Sequence, residues 1–83
     1  MKVRVKYFAS IREAIGQGGE ALETRAATLA ALRDELIARN GAYAESLARG
    51  RAVRMALDQV MADEASELCE GAEVAFFPPV TGG

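Results

Sequence analysis

The sequence predicts an α+β domain: a mixed four- to five-stranded sheet, one main helix across one face, and an extended C-terminal tail. Three observations predict it. Apolar residues alternate with period two near the N-terminus and again just before the C-terminus. Residues 28–39 carry an apolar stripe at helical spacing. The last eleven residues, Glu73-Val-Ala-Phe-Phe-Pro-Pro-Val-Thr-Gly-Gly83, pass from strand-like to rigid to bare.

In chain order, Lys2-Val-Arg-Val-Lys-Tyr-Phe8 is the first strand, with Val3, Val5 and Tyr7 on the core face. Phe8 then falls on the charged face unless the strand ends or bulges before it. Ser10-Ile-Arg-Glu13 has the spacing of a capping box and should open a short helix ending near Gly16. Gly16-Gln-Gly-Gly19 is a turn without the Lys-Ser/Thr of a phosphate loop. Residues 20–25 supply a second strand, pairing with the first as an N-terminal hairpin. Thr28 is the expected N-cap of the main helix, with Leu29, Leu32, Leu36 and Ile37 as its buried stripe. Glu35 and Arg39 stand one turn apart, and Asn40-Gly41 should stop this helix as a glycine cap. Residues 42–49 can hold a further helical turn anchored by Leu47 and broken by Gly50.

Val53, Met55 and Leu57 alternate with Arg54, Ala56 and Asp58 as a third strand. Asp58-Gln59 is a tight turn into a short return strand at Val60-Met61, with Met61 facing out. Residues 65–68 cross over, with Leu68 plugging the core. Glu73–Phe77 is the final strand, Val74 and Phe76 inward and Phe77 outward. Pro78 and Pro79 end it, because neither has an N–H for a ladder. The chain is expected to leave a sheet edge there, so residues 1–77 make the domain and residues 78–83 a protruding tail. Six residues reach at most about 20 Å.

Composition narrows the function. The chain has 83 residues and a formal charge of −2, giving no reason to expect nucleic acid. It has no apolar run long enough for a membrane span, and a charge-alternating N-terminus unlike a signal peptide. One cysteine cannot form an internal disulfide, so a cytoplasmic setting is expected. The sequence has no histidine, which leaves no Ser-His or Cys-His nucleophile pair and none of the usual zinc sites. No metal site and no bound cofactor are expected.

Two terminal glycines add nothing to a packed core, because glycine loses the most entropy on ordering. They suit a tail that enters a narrow slot. By average glycine usage a chain ends in two glycines by chance with a probability of roughly 0.005. Preceded by Phe-Phe-Pro-Pro-Val-Thr, the ending is far more specific.

That ending resembles the C-terminus of the small subunits of molybdopterin synthase, ubiquitin-like sulfur carriers. Val5-Lys-Tyr-Phe-Ala9 followed by Ile11-Arg-Glu13 is similar to the same family's first strand and helix start. The resemblance implies a β-grasp fold. It also implies that Gly83 is adenylated and then converted to a thiocarboxylate, with Gly82 giving clearance and Thr81, Val80, Pro79 and Pro78 setting reach. From strand parity, Phe77 with Phe8 and Met61 forms an apolar patch on the face the helix leaves open, expected to dock a partner. The alternative is a larger core with Phe77 tucked under a loop. Arg12 is a candidate ion-pair donor to the partner. The implied partners are three. An adenylating enzyme of the ubiquitin-activating type uses ATP and Mg. A sulfurtransferase is the sulfur donor. The synthase's large subunit, in a two-plus-two heterotetramer, directs the sulfur to cyclic pyranopterin monophosphate. The chain itself would be a non-catalytic subunit. The family usually has asparagine at position 58 and a polar residue other than cysteine at position 69. Cys69 has no adjacent cation to activate it, and Glu67 and Glu70 flank it.

Alternatives with the same ending are a sulfur carrier for thiamine synthesis or tRNA thiolation, and a ubiquitin-like protein modifier. With Gly83 last, no processing would be needed, which suits any of them. An independent enzyme is disfavoured by the missing acid–base groups.

Overall fold

Residues 1–79 are described by the computed structural model. Five strands form one sheet: β1 (Lys2–Tyr7), β2 (Gly19–Glu23), β3 (Arg54–Leu57), β4 (Val60–Ala62) and β5 (Glu73–Phe77). Their order across the sheet is β2-β1-β5-β3-β4. β1 runs parallel to β5, and the other pairings are antiparallel. Three helices fill the connections: α1 (Ala9–Ile15), α2 (Leu29–Ile37) and α3 (Gly41–Leu47). This is the ubiquitin-like β-grasp. The final strand is central in the sheet, so the tail leaves from its middle and not from an edge as expected.

The alternation fixes which face is covered. Val3, Val5 and Tyr7 of β1 and Val74 and Phe76 of β5 are fully buried against Leu29, Leu32 and Leu36 of α2 and Leu47 of α3. Tyr7 and Phe76 stack with ring centroids 6.4 Å apart. Leu68 closes the core from the crossover, as expected. Burial of such side chains is the main stabilising term, about 1.5–3 kcal/mol each before entropy is counted.

Several local expectations differ. Ser10 and Glu13 make no capping box: α1 starts two residues earlier, at Ala9, with Phe8 at the N-cap position and no side-chain cap. Ala9 turns the corner at φ +51°, a left-handed conformation that is costly for an L-residue. Phe8 N–H still donates to Phe76 O at 3.1 Å, so the β1 ladder claims Phe8 before the helix begins. Gly16 ends α1 in the left-handed region, as expected.

β2 is shorter than the expected residues 20–25 because Thr24 turns inward. Its hydroxyl donates to Glu35 at 2.6 Å and accepts from Ala26 N–H. Glu35 is thereby taken, and Arg39 pairs with Glu20 instead of Glu35. Gly19 is required at its position because a Cβ there would lie 2.9 Å from Val5 O. Thr28 caps α2 as expected, accepting from Ala31 N–H at 3.2 Å. Asn40-Gly41 does not terminate α2, which ends at Ile37 with Ala38 as its C-cap. Both residues take positive φ and start α3. α3 in turn stops at Leu47, before Gly50.

Candidate functional site

Among the described residues one face of the sheet carries no helix, and its composition follows from register. Two rows cross it near the C-terminal end of β5. In the first, Lys6 of β1, Ala75 of β5, Ala56 of β3 and Met61 of β4 are neighbours in turn. In the second, Phe77 of β5 lies opposite Arg54 of β3, with Phe8 on its other side. Small residues in the centre leave a shallow floor, and the large apolar side chains stand around it.

Phe8 is 44% exposed and Met61 57% exposed. Phe77 is half-buried, and its ring meets that of Phe8 edge to face, 6.5 Å between centroids at 85°. Val60 at the β3–β4 turn is 67% exposed. That turn has Asp58 and Gln59 both at positive φ, as a two-residue hairpin requires. Asp58 is held by a reciprocal pair of bonds: its N–H donates to Glu73 O, and its carboxylate accepts from Glu73 N–H. Phe8 and Phe77 touch, with Met61 two strands away across the small floor on the same face. Exposed apolar residues grouped on one face mark a docking surface more often than a single scattered one does.

Pro78 and Pro79 are half-buried. Pro78 lines a groove of about 300 Å³ between α1 and α3, with Ser10, Ile11, Ala14, Ser46, Arg51 and Ala52. The root of the tail thus sits between this groove and the aromatic pair. Val80, Thr81, Gly82 and Gly83 lie outside the described residues. Arg12 is exposed on α1, one turn beyond Phe8, beside Gly18. Cys69 is exposed but precedes β5, at the far end of that strand from Phe77. Five strand residues separate the ends by roughly 13–16 Å, so its thiol has no place at the tail root.

Two polar clusters that sequence reasoning missed hold the scaffold. Glu20 accepts hydrogen bonds from Tyr7 Oη, Tyr43 Oη, Gln17 Nε2 and Arg39 Nη1, at 2.8–3.2 Å. Burial alone would raise its carboxyl, but the bonds from Arg39, Tyr43 and Tyr7 outweigh that and hold it below the usual carboxylate range. Burial, then the bond to Glu20, pushes the Tyr7 phenol well above its ordinary value.

The second cluster centres on Arg33, whose side chain is only 5% exposed. It donates to Leu47 O and Ala48 O at the end of α3, to Arg51 O, and to Glu64. Arg49 joins Glu64 to Asp34. In sequence, Arg33 reads as an ordinary polar helix position. Only the placement of α3 reveals that it satisfies that helix's terminal carbonyls.

Among the described residues, no group of three or more Cys, Asp or Glu side chains is arranged to hold a metal. No helix there is long and apolar enough to cross a membrane.

Comparison with known proteins places these features in context. The ThiS family profile matches residues 5–83. The molybdopterin synthase sulfur carrier subunits of Escherichia coli K12 and Haemophilus influenzae Rd are 36% and 38% identical to it over 81 residues. In each case the match covers 98% of this chain and 99% of the relative. In the solved complex of subunits 1 and 2 of the molybdopterin-converting factor from Helicobacter pylori, one chain superposes with a TM-score of 0.70 at 26% identity, covering 100% of both chains.

Proposed function

The chain belongs to the ThiS family, and on that premise we propose that it is the sulfur-carrier subunit of a molybdopterin synthase. What carries this reading is the junction at Phe77. Pro78 and Pro79 leave the central strand immediately beside an exposed aromatic pair, so a partner that grips the pair lies where the tail begins.

The chemistry follows from the tail's carboxylate, which is a poor electrophile. An adenylating partner, using ATP with Mg, joins the Gly83 carboxylate to AMP and releases pyrophosphate. A persulfide sulfur from a donor protein attacks the acyl carbon, and AMP leaves with the bonding pair. Reductive cleavage of the sulfur–sulfur bond by a thiol then frees the Gly83 thiocarboxylate. In the large subunit's active site this group gives its sulfur to cyclic pyranopterin monophosphate. A dithiolene has two sulfurs, so two loaded carriers are consumed, in keeping with a two-plus-two assembly. Gly82 allows backbone approach, and Pro78, Pro79, Val80 and Thr81 set reach. Phe8, Phe77 and Met61 dock, and Arg12 offers an ion pair. This chain contributes no acid, base or nucleotide loop; its partners hold the catalysts. The setting is the cytoplasm.

Intact-mass analysis tests this after incubation with adenylating enzyme, ATP, Mg and a sulfur donor. The expected product shows one oxygen exchanged for sulfur at Gly83, and it loses that sulfur only when the large subunit and the pterin acceptor are added. Discharge by a thiamine or tRNA thiolation system instead would assign the carrier elsewhere, and an isopeptide adduct would make it a modifier.

A further inference from the structure

We infer that Arg54 is a specificity-determining residue of the docking face, and that the partner groove must present a carboxylate to it. The inference rests on the docking reading above and adds a demand on the partner's chemistry.

The argument is one of charge matching. On the open face only Lys6 has an ion pair among the described residues, Lys2 and Arg4 having none, so Arg54 is set apart by its place beside Phe77. Lys6 pairs with Glu73 at 3.4 Å, and Arg4 lies next to Glu73 in register. Elsewhere on the surface Arg39 has Glu20 and Arg49 has both Asp34 and Glu64, while Arg12, Arg25 and Arg51 have no ion pair among the described residues. Asp63 and Glu64 line a groove with Arg54, but Glu64 is taken by Arg33 and Arg49. Arg54 lies directly across from Phe77, where cross-strand Cβ atoms are about 5 Å apart. It is exposed and has no ion pair among the described residues. The nearest acid in register is Asp63, just past β4. Its carboxylate turns back to accept from Ala65 N–H at 2.9 Å.

A cation beside an aromatic hot spot, on a chain of net charge −2, is a local feature that the overall field does not explain. If a partner covered Phe77 it would also desolvate the Arg54 stem. A charge left unpaired there would oppose binding, and a facing carboxylate would favour it and steer encounter. The occupant is therefore a protein surface with an apolar centre and an acidic margin on the β3 side.

The test uses the full chain and the synthase large subunit from the same organism, measured by calorimetry and stopped flow at low and high salt. Arg54→Glu is expected to melt like the native protein, to weaken low-salt binding about tenfold through the on-rate, and to lose most of that deficit at high salt. Arg54→Lys retains most of the affinity. Arg25→Glu, an exposed cation on the β2–α2 connection, serves as the control and binds normally. Equal affinities for Arg54→Glu and Arg25→Glu, whether both normal or both weakened, would overturn the inference. Phe77→Ala separates the two levels. If it weakens binding while Arg54→Glu does not, only the carboxylate demand fails; if neither has an effect, the docking face itself is wrong.

Discussion

Phe8 and Phe77 are 69 positions apart in sequence, yet their rings meet edge to face at 6.5 Å on the uncovered side of the sheet. Phe8 closes the first strand and Phe77 closes the last. The parallel pairing of β1 with β5 is what makes these two ends coincide. Both rings keep exposed surface, Phe8 more than Phe77, and the pair stands at the root of the tail.

Replacing Phe77 with alanine is expected to weaken binding to the large subunit by about 1–3 kcal/mol, as at a hot spot. Phe8→Ala should behave similarly. Because the rings touch, the double variant should lose less than the sum. Titration calorimetry of the two single variants and the double variant checks this. Strict additivity would show that the pair does not act as one surface.

Removing Gly83 is expected to abolish sulfur loading and dithiolene formation, with melting temperature and large-subunit affinity nearly unchanged. A reconstituted synthase assay beside a binding assay separates the two effects. Product formation by the truncated chain would end the carrier mechanism.

Glu20 makes acid stability a property of one side chain. Its carboxyl is held below the usual range in the folded state, so the folded chain resists protonation more than the unfolded chain does. The stabilisation is complete above the unfolded value of about 4.3 and is lost as pH falls through the folded value. Urea denaturation of native protein and Glu20→Gln should therefore differ clearly at neutral pH and converge in acid. A gap that stays constant below pH 4 would contradict this linkage.

Arg33→Ala is expected to cost about 2–3 kcal/mol, because the carbonyls of Leu47 and Ala48 lose their donors in a buried setting. Glu64 is 40% exposed and can turn to water, which keeps the loss below that of a fully buried broken pair. Denaturant midpoints measure it, and hydrogen exchange should show α3 opening first.

Strand alternation and helix spacing are local properties, and they were legible. Val3, Val5, Tyr7, Val74 and Phe76 lie inward because side chains alternate across a pleated backbone. Thr28 caps α2 because an oxygen at that position reaches the third amide. The outward parity of Phe77 and Met61 came from the same counting. The capping box at Ser10 failed because sheet hydrogen bonding by Phe8 outcompetes a helix cap. The stop at Asn40-Gly41 failed because positive φ can begin an element as well as end one.

By itself, the sequence determined the α+β class, the inward residues of each strand and the outward Phe77. Tertiary structure alone decided that the last strand is central, that Phe8 meets Phe77, that Arg33 serves α3, and that Arg54 stands across from Phe77. The division has a physical cause. Backbone geometry constrains neighbours within a few residues, whereas strand order and long-range pairing depend on how the whole apolar surface is buried at once.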